Sequence, residues 1–168
     1  MSQASLSTGL AAGISLVVDS SAVLAYLAGD ELASTPARQV LDDFIRPGRN
    51  PGSISSLTVT ETLVRPFERA ESGALGTVEA FLRQFPNLEV VPVNYAVARE
   101  AARVRARTRL PTPDAIILAT AIVRGAGALV GNDERWRSAL EKLGVPMVLC
   151  ILADYAPRDA AESAQEGR

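Results

Sequence analysis

The stretch "SLVVDSSAVLAYL", residues 15–27, places one acidic residue between an apolar segment and a helix-like segment. Residues 14–18 (ISLVV) predict a buried strand and residues 20–28 predict a helix, so Asp19 falls at the end of the strand. A carboxylate at the end of a buried strand costs desolvation free energy unless hydrogen bonds or a cation compensate for it. Asp19 therefore either helps to start the helix or binds a metal ion.

Strands and helices alternate along the chain, which is typical of a parallel sheet covered by helices. We expect a single three-layer α/β/α domain of the α/β class, with a central, mostly parallel sheet of about five strands. The domain is predicted over residues 14–153, between an N-terminal extension (residues 1–13) and a polar, disordered tail (residues 154–168). The candidate strands are residues 14–18, 53–57, 88–93, 128–131 and 145–151, and the candidate helices are residues 20–28, 36–45, 58–70, 75–85, 94–108, 114–124 and 134–143.

Two of the candidate helices have an unusual composition. Residues 114–124 (DAIILATAIVR) are apolar almost all round, which predicts a deeply buried helix. Pro66 falls inside residues 58–70 and cannot donate a backbone hydrogen bond, so that helix should kink or restart there.

The composition excludes several kinds of chemistry. The chain contains no histidine, which removes Ser-His-Asp and Cys-His catalysis, His-bound zinc and any histidine base. Cys150 is the only cysteine and lies in the apolar stretch "VPMVLCIL", so we interpret it as a core residue. The net charge of −2 indicates no general affinity for nucleic acid. Catalysis would therefore have to use carboxylates, hydroxyls, arginine or a bound metal ion.

The sequence also indicates where in the cell the protein is expected. Residues 1–13 contain no Lys or Arg, unlike the basic start of a signal peptide, and no apolar stretch approaches the roughly 20 residues that span a bilayer. We expect a cytoplasmic protein that does not enter a membrane.

Four acidic residues stand at the ends of predicted elements, and each one alone has a structural explanation. Asp19 would start a helix, and Glu61 would close a capping box with Thr58. Asp114 would favour the dipole of a helix that begins at Thr112 (the N-cap) and Pro113. Asp133 would cap the helix over residues 134–143.

Taken together, the four acids point to a metal site. The carboxyl ends of parallel strands share one edge of the sheet, where ligands bind, so Asp19, Glu61, Asp114 and Asp133 would converge there. Like charges about 4 Å apart repel by roughly 4 kcal/mol at an effective dielectric constant near 20. Mg²⁺ or Mn²⁺ would relieve this repulsion, since both prefer carboxylate and water ligands. Ser21 and Asn132 either orient these carboxylates or simply start a helix and form a turn.

Four segments, "VVDSSAVLAYL", "SSLTVTETL", "TPDAIILATAI" and "ALVGNDERW", resemble in order and spacing the motifs of PIN-domain ribonucleases. The similarity is greatest to the single-domain VapC-type toxins of toxin–antitoxin pairs, and it covers about residues 14–152. The resemblance implies a ribonuclease in which Asp19, Glu61, Asp114 and Asp133 bind Mg²⁺ or Mn²⁺. It also implies that Ser20 or Ser21 supplies the small hydroxyl residue that usually follows the first acid.

Further expectations depend on the same resemblance. They are an RNA substrate cut to 5′-phosphate and 3′-hydroxyl ends, a homodimer, and a small cognate antitoxin protein that blocks the acidic pocket. Two features depart from the family pattern: Gly131 stands where Thr or Ser is frequent, and about a dozen residues precede the first strand.

A nuclease also needs positive charge near its acids, and "REAARVRARTR" supplies five arginines along and just beyond residues 94–108. Val97, Ala101 and Val104 form a narrow apolar stripe, so most of these arginines can be a solvated helix face. We expect Arg107 and Arg109 to reach RNA phosphates, because they lie nearest in sequence to Asp114.

The sequence does not fit two other classes of carboxylate-based phosphotransfer protein. A HAD-type phosphotransferase needs an acid where Ser21 stands, and a receiver domain needs a lysine at a strand end, whereas Lys142 is the only lysine and falls in a predicted helix. The stronger alternative is an inactive PIN-like protein-binding module. If the site is active, Glu61 and Asp114 are the candidates for orienting the attacking water.

Overall fold

The computed structural model describes residues 6–29, 32–70 and 72–157. Five strands form one sheet, in the order β3-β2-β1-β4-β5, and every neighbouring pair is parallel. This confirms the predicted α/β class and the parallel sheet. The strands are β1 (Leu16–Val18), β2 (Gly52–Ser55), β3 (Leu88–Val91), β4 (Ala128–Gly131) and β5 (Val148–Ile151).

Helices cover both faces of this sheet. The α-helices are α1 (Leu6–Gly9), α2 (Ser20–Ala28), α3 (Ser34–Arg38), α4 (Ser56–Glu68), α5 (Ser72–Gln84), α6 (Tyr95–Thr108), α7 (Thr112–Val123) and α8 (Arg135–Leu143). A π-helix (Gln39–Ile45) continues α3, and a 3₁₀ helix (Leu152–Tyr155) follows β5. Among the described residues, no helix is both long enough and apolar enough to cross a bilayer.

The two faces of the sheet bury two separate cores because side chains alternate along a strand. In β1, Leu16 and Val18 point into a core formed mainly with α1, α2, the π-helix and α5. Val17, between them, points into the second core, formed with α6, α7 and α8. As predicted, α7 is deeply buried, with Ile117 and Leu118 almost fully inaccessible. The result is the predicted three-layer α/β/α arrangement.

The starts of two helices differ from the sequence prediction. The predicted capping box of Thr58 and Glu61 is wrong, because α4 begins before Thr58. Its N-cap is Ser55, whose Oγ accepts a hydrogen bond from the amide of Leu57 (3.2 Å). The helix thus starts as soon as β2 ends. Thr112 is likewise the first helical residue of α7 and not its N-cap, since Pro111 ends the extended segment before it.

Pro66 lies near the end of α4 and does not interrupt it. The helix includes Pro66 and ends two residues later at Glu68, and α5 begins at Ser72. The predicted restart at Pro66 is therefore wrong, and α5 corresponds to the helix predicted separately over residues 75–85.

The segment before β1 packs onto the domain. Leu6 and Leu10 are buried in the first core. Arg49 donates a hydrogen bond to the carbonyl of Leu10 (2.8 Å), and the side chain of Asn50 donates to the carbonyl of Ala11 (2.8 Å). At the other end, the 3₁₀ helix contains the first two residues of the predicted polar tail, and residues 158–168 lie outside the described part.

Cys150 is a core residue, as its apolar sequence context predicts. Its side chain is 1% exposed, and burial, together with the charge of Asp154, raises the pKa of the thiol to about 12. We therefore expect the folded protein to resist a thiol reagent at about pH 8, because the reactive thiolate is scarce and inaccessible. Labelling with an aromatic disulfide reagent, before and after unfolding in guanidinium chloride, checks this. Rapid labelling of the folded chain would contradict the buried placement.

Candidate active site

The carboxylate of Asp19 lies at the carboxyl end of β1 and is held by the start of α2. It accepts hydrogen bonds from the amide and the Oγ of Ser21 (3.1 and 2.6 Å) and from the Oγ of Ser20 (3.3 Å). Asp19 is therefore the N-cap of α2, and the helix-starting role considered for it from the sequence is present. Its side chain is 8% exposed and its orientation is fixed.

The neighbouring strand β4 ends two residues before a second acid, Asp133, at the same edge of the sheet. Val18 pairs with Val130, and the amide of Asp19 donates to the carbonyl of Val130 (2.8 Å), so the segment after β4 passes close to Asp19. The amide of Asn132 donates to the Oγ of Ser21 (3.1 Å), which links this segment to the hydroxyl that binds Asp19. The side chain of Asn132 turns away and accepts a hydrogen bond from the amide of Ala153 (3.1 Å).

Asp114 lies in the first turn of α7 and belongs to the same electrostatic cluster. Burial raises the pKa of its carboxyl, and the guanidinium of Arg135 lowers it in part. The negative charges of Asp133 and Asp19 raise it again, and the net pKa lies above the ordinary value of an aspartate. The negative charges of Asp19 and Asp133 therefore reach the carboxyl of Asp114.

Arg135 bridges two of these acids. Its guanidinium lies 2.6 Å from Oδ2 of Asp133 and 2.7 Å from Oδ2 of Asp114. The contact with Asp133 consists of aligned hydrogen bonds, whereas the contact with Asp114 is an ion pair without hydrogen-bond alignment. The side chain of Arg135 is 59% exposed, so solvent reaches the bridge.

The same arginine sets the orientation and the pKa of the Asp133 carboxylate. Its Oδ1 accepts a hydrogen bond from the backbone amide of Arg135 (2.9 Å), which places it over the first turn of α8. Burial raises the pKa of Asp133, but the side-chain and backbone hydrogen bonds and the positive charge of Arg135 outweigh burial and hold it below the usual range. The N-cap of α8 is Glu134 and not the predicted Asp133, although the side chain of Asp133 still accepts a hydrogen bond from the first helical amide.

Glu61 is the fourth predicted acid and lies on the second turn of α4. This helix packs against α2 and α7, which carry Asp19 and Asp114 near their starts. The side chain of Glu61 is partly exposed, and within the described part of the chain no hydrogen bond or ion pair joins it to the three aspartates. The structure thus brings together Asp19, Asp114 and Asp133, and places Glu61 on an adjoining helix.

Gly131 leaves no room for a side chain. A Cβ built at this position would lie 2.9 Å from Cζ3 of Trp136 and 3.0 Å from Cβ of Asp19. Trp136 is 1% exposed, so its indole is fixed by the second core. The absence of a hydroxyl at this position, seen in the sequence as a departure, follows from the buried indole that occupies the space.

The donors of the cluster suit a hard divalent cation. Aspartate carboxylates supported by serine hydroxyls match Mg²⁺ or Mn²⁺ in chemistry. Among residues 6–29, 32–70 and 72–157, however, no three acidic side chains converge in the arrangement of a preformed metal site. Arg135 occupies the position between Asp114 and Asp133, so a cation could bind both carboxylates only after the guanidinium has moved away.

Comparison with known proteins identifies the family. The sequence matches the family model described as PIN domain over residues 16–141. This chain belongs to the PIN domain family. A comparison with curated protein sequences found no significant match.

Solved structures similar to this PIN domain share its fold. FitAcB from Neisseria gonorrhoeae is 16% identical with a TM-score of 0.63, covering 82% of this chain and 97% of that one. VapC20 from Mycobacterium tuberculosis, described as a sarcin–ricin loop cleaving toxin, is 19% identical with a TM-score of 0.60, covering 74% and 95%. VapBC2 from Rickettsia felis, solved bound to a DNA fragment from its promoter, is 14% identical with a TM-score of 0.60, covering 80% and 96%.

The arginines on and just beyond α6 differ in their contacts. Arg103 forms an i,i+3 ion pair with Glu100, and Arg105 donates to the carbonyl of Leu110 (3.2 Å), so both have structural contacts. Arg107 and Arg109 are exposed. Sequence reasoning missed Arg135, whose position two residues after Asp133 was the only available signal.

Proposed function

We propose that this PIN domain is a divalent-metal-dependent ribonuclease and the toxin of a toxin–antitoxin pair. The observation that carries the proposal is the cluster of Asp19, Asp114 and Asp133 at the carboxyl edge of β1 and β4, in which Asp133 and Asp19 both raise the pKa of Asp114. Hydrogen bonds to helix starts account for Asp19 and Asp133, but not for a third carboxylate, that of Asp114, within reach of their negative charge. A phosphodiesterase site uses such a group of carboxylates to hold a cation. The similarity in fold to a toxin that cleaves RNA supports the same activity.

In this proposal Asp19, Glu61, Asp114 and Asp133 would hold Mg²⁺ or Mn²⁺, which would supply Lewis acidity for activating water and for stabilising negative charge on the phosphate. Ser20 and Ser21 keep the carboxylate of Asp19 in one orientation, and the amide of Asn132 fixes Ser21 in turn. Asp114 and Glu61 orient the attacking water, and Arg107 and Arg109 contact RNA phosphates. The products would carry 5′-phosphate and 3′-hydroxyl ends.

The proposed partner is a small antitoxin protein that covers the acidic cluster, with the toxin as a homodimer acting in the cytoplasm. The similar structures include VapBC2, described as bound to promoter DNA, and a toxin–antitoxin complex from Klebsiella pneumoniae. Their shared fold supports this assembly for the present chain.

One observation favours a second candidate, an inactive PIN-like protein-binding module. Arg135 neutralises Asp114 and Asp133 from within the chain. An arginine could take this place in a site that no longer binds a metal ion. The two candidates differ in whether divalent ions displace this contact and whether RNA is then cut.

Cleavage of RNA by the purified chain tests the proposal. Structured and single-stranded RNAs are incubated with Mg²⁺, with Mn²⁺ and with EDTA, and the product ends are determined by phosphatase and ligase treatment. We expect cleavage with the metal ions, none with EDTA, and 5′-phosphate ends. Products with a 2′,3′-cyclic phosphate would contradict the mechanism, since they arise from attack by the RNA 2′-hydroxyl without a metal-activated water.

A further inference from the structure

A groove beside the acidic cluster has a composition that the proposed cleavage site does not account for. It lies between the loop that joins α6 to α7 and one side of α8, and its volume is about 430 Å³. The polar part of its lining consists of Thr108, Arg109, Arg135, Ser138 and Lys142. We call this surface the basic groove, because every charged side chain that lines it is a cation.

Two of the three cations are not neutralised by the protein. Within the described ranges, Arg109 and Lys142 have no ion-pair partner, and both are exposed. By contrast, Arg137, on the same helix as Lys142, pairs with Glu134 (3.1 Å) and reaches Asp154 (3.8 Å). The basic groove thus keeps positive charge available in a chain whose net charge is −2.

The loop that carries Arg109 is fixed in position. Arg109 has a left-handed backbone conformation (φ 63°) that ends α6. Arg105 donates to the carbonyl of Leu110 (3.2 Å), and the amide of Leu110 donates to the Oγ1 of Thr108 (3.3 Å). A guanidinium that projects from a fixed loop loses less conformational freedom when it binds an anion than one on a mobile loop.

Arg135 connects the basic groove to the acidic cluster. Arg135 lines the groove, and its guanidinium contacts Asp114 and Asp133, so the groove adjoins these two carboxylates. A polyanion in the groove would therefore pass these carboxylates. The described lining contains no aromatic side chain on which a base could stack, so contacts there would be to phosphates.

We propose that the basic groove binds the sugar–phosphate backbone of single-stranded RNA next to the acidic cluster, with Arg109 and Lys142 as phosphate contacts and Arg135 at the junction. The proposal rests on the proposed ribonuclease function for its ligand class. Because the contacts are to phosphate, binding should tolerate changes in RNA sequence and should weaken with salt.

Binding is measured by fluorescence anisotropy, in EDTA, with a labelled single-stranded RNA of mixed sequence, so that nothing is cleaved. Lys142→Gln and Arg109→Gln are each expected to weaken binding about threefold at low salt, and the double variant about tenfold. Each substitution should also lower the slope of log K against log salt by about 0.7, the contribution of one phosphate contact on a single strand. Arg137→Gln is the matched control on α8 and should bind like the wild type.

Cleavage is assayed separately with Mn²⁺, so the two proposals can fail independently. Loss of binding by the groove variants, in a protein that cuts no RNA, would support the basic groove and contradict the ribonuclease. Wild-type affinity and salt slope for the double variant, in a protein that does cut RNA, would overturn the basic groove. Equal weakening by Arg137→Gln would also overturn it, because overall charge would then explain the effect.

Discussion

Asp114→Asn is expected to lower metal-dependent RNA cleavage by about 10² or more while leaving the folded protein at least as stable as the wild type. The loss of activity follows because a metal ligand contributes several kcal/mol to catalysis, and about 1.4 kcal/mol is a factor of ten in rate. Stability should not fall, because burial and the charges of Asp133 and Asp19 hold the pKa of Asp114 above its ordinary value. A raised pKa means that folding disfavours the charged form, and asparagine carries no charge.

Rates with Mn²⁺ and thermal unfolding in EDTA measure the two effects in the same preparations. Asp43→Asn is the matched control, since Asp43 is an exposed residue of the π-helix. It should cleave and melt like the wild type. Equal cleavage by wild type and Asp114→Asn would mean that a contaminant cuts the RNA, and unfolding of Asp114→Asn would make Asp114 a structural residue.

Gly131→Thr is expected to destabilise the protein by about 1–3 kcal/mol, the usual cost of overpacking a core. The hydroxyl that the family resemblance leads one to expect at this position cannot be accommodated, because even a Cβ would contact Cζ3 of Trp136 at 2.9 Å and Cβ of Asp19 at 3.0 Å. The same shift would disturb the carboxylate of Asp19, so metal affinity should fall together with stability.

Denaturant unfolding with two further variants checks the cause. Gly76→Ala lies inside α5, where a Cβ meets nothing within 4 Å, and it should stabilise the protein by about 0.5–1 kcal/mol. Trp136→Phe removes the atom that crowds position 131, so the double variant with Gly131→Thr should be more stable than the sum of the single effects predicts. Wild-type stability of Gly131→Thr would show that the indole yields easily.

The sequence predicted the sheet and its helices because each element carries its own local pattern. Four of the five residues before Asp19 are apolar, and α7 is apolar almost all round, so strand, helix and burial could be inferred directly. The first residues of the helices were harder to predict. Ser55 and Thr58 are both residue types that cap helices, and Ser55 is the N-cap of α4 because β2 ends there.

Contacts between distant segments could not be inferred in this way. Arg135 is close in sequence to Asp133, but its contact with Asp114 depends on how α7 and α8 lie against β4. From the sequence alone, Gly131 indicates only that a hydroxyl is absent. The position of the Trp136 indole explains why, because it leaves no room for a side chain there. Convergence of strand ends predicted that acids would meet, but not which cation would lie between them.

The bridge formed by Arg135 has a consequence for how the proposed metal ion would bind. The chain supplies its own counter-ion to Asp114 and Asp133, so it can fold and persist in a chelated, metal-free state without two bare carboxylates facing each other. Uptake of a divalent ion then becomes an exchange of one cation for another. Its apparent affinity includes the free energy of releasing the guanidinium, and any anion that binds Arg135 makes this exchange easier.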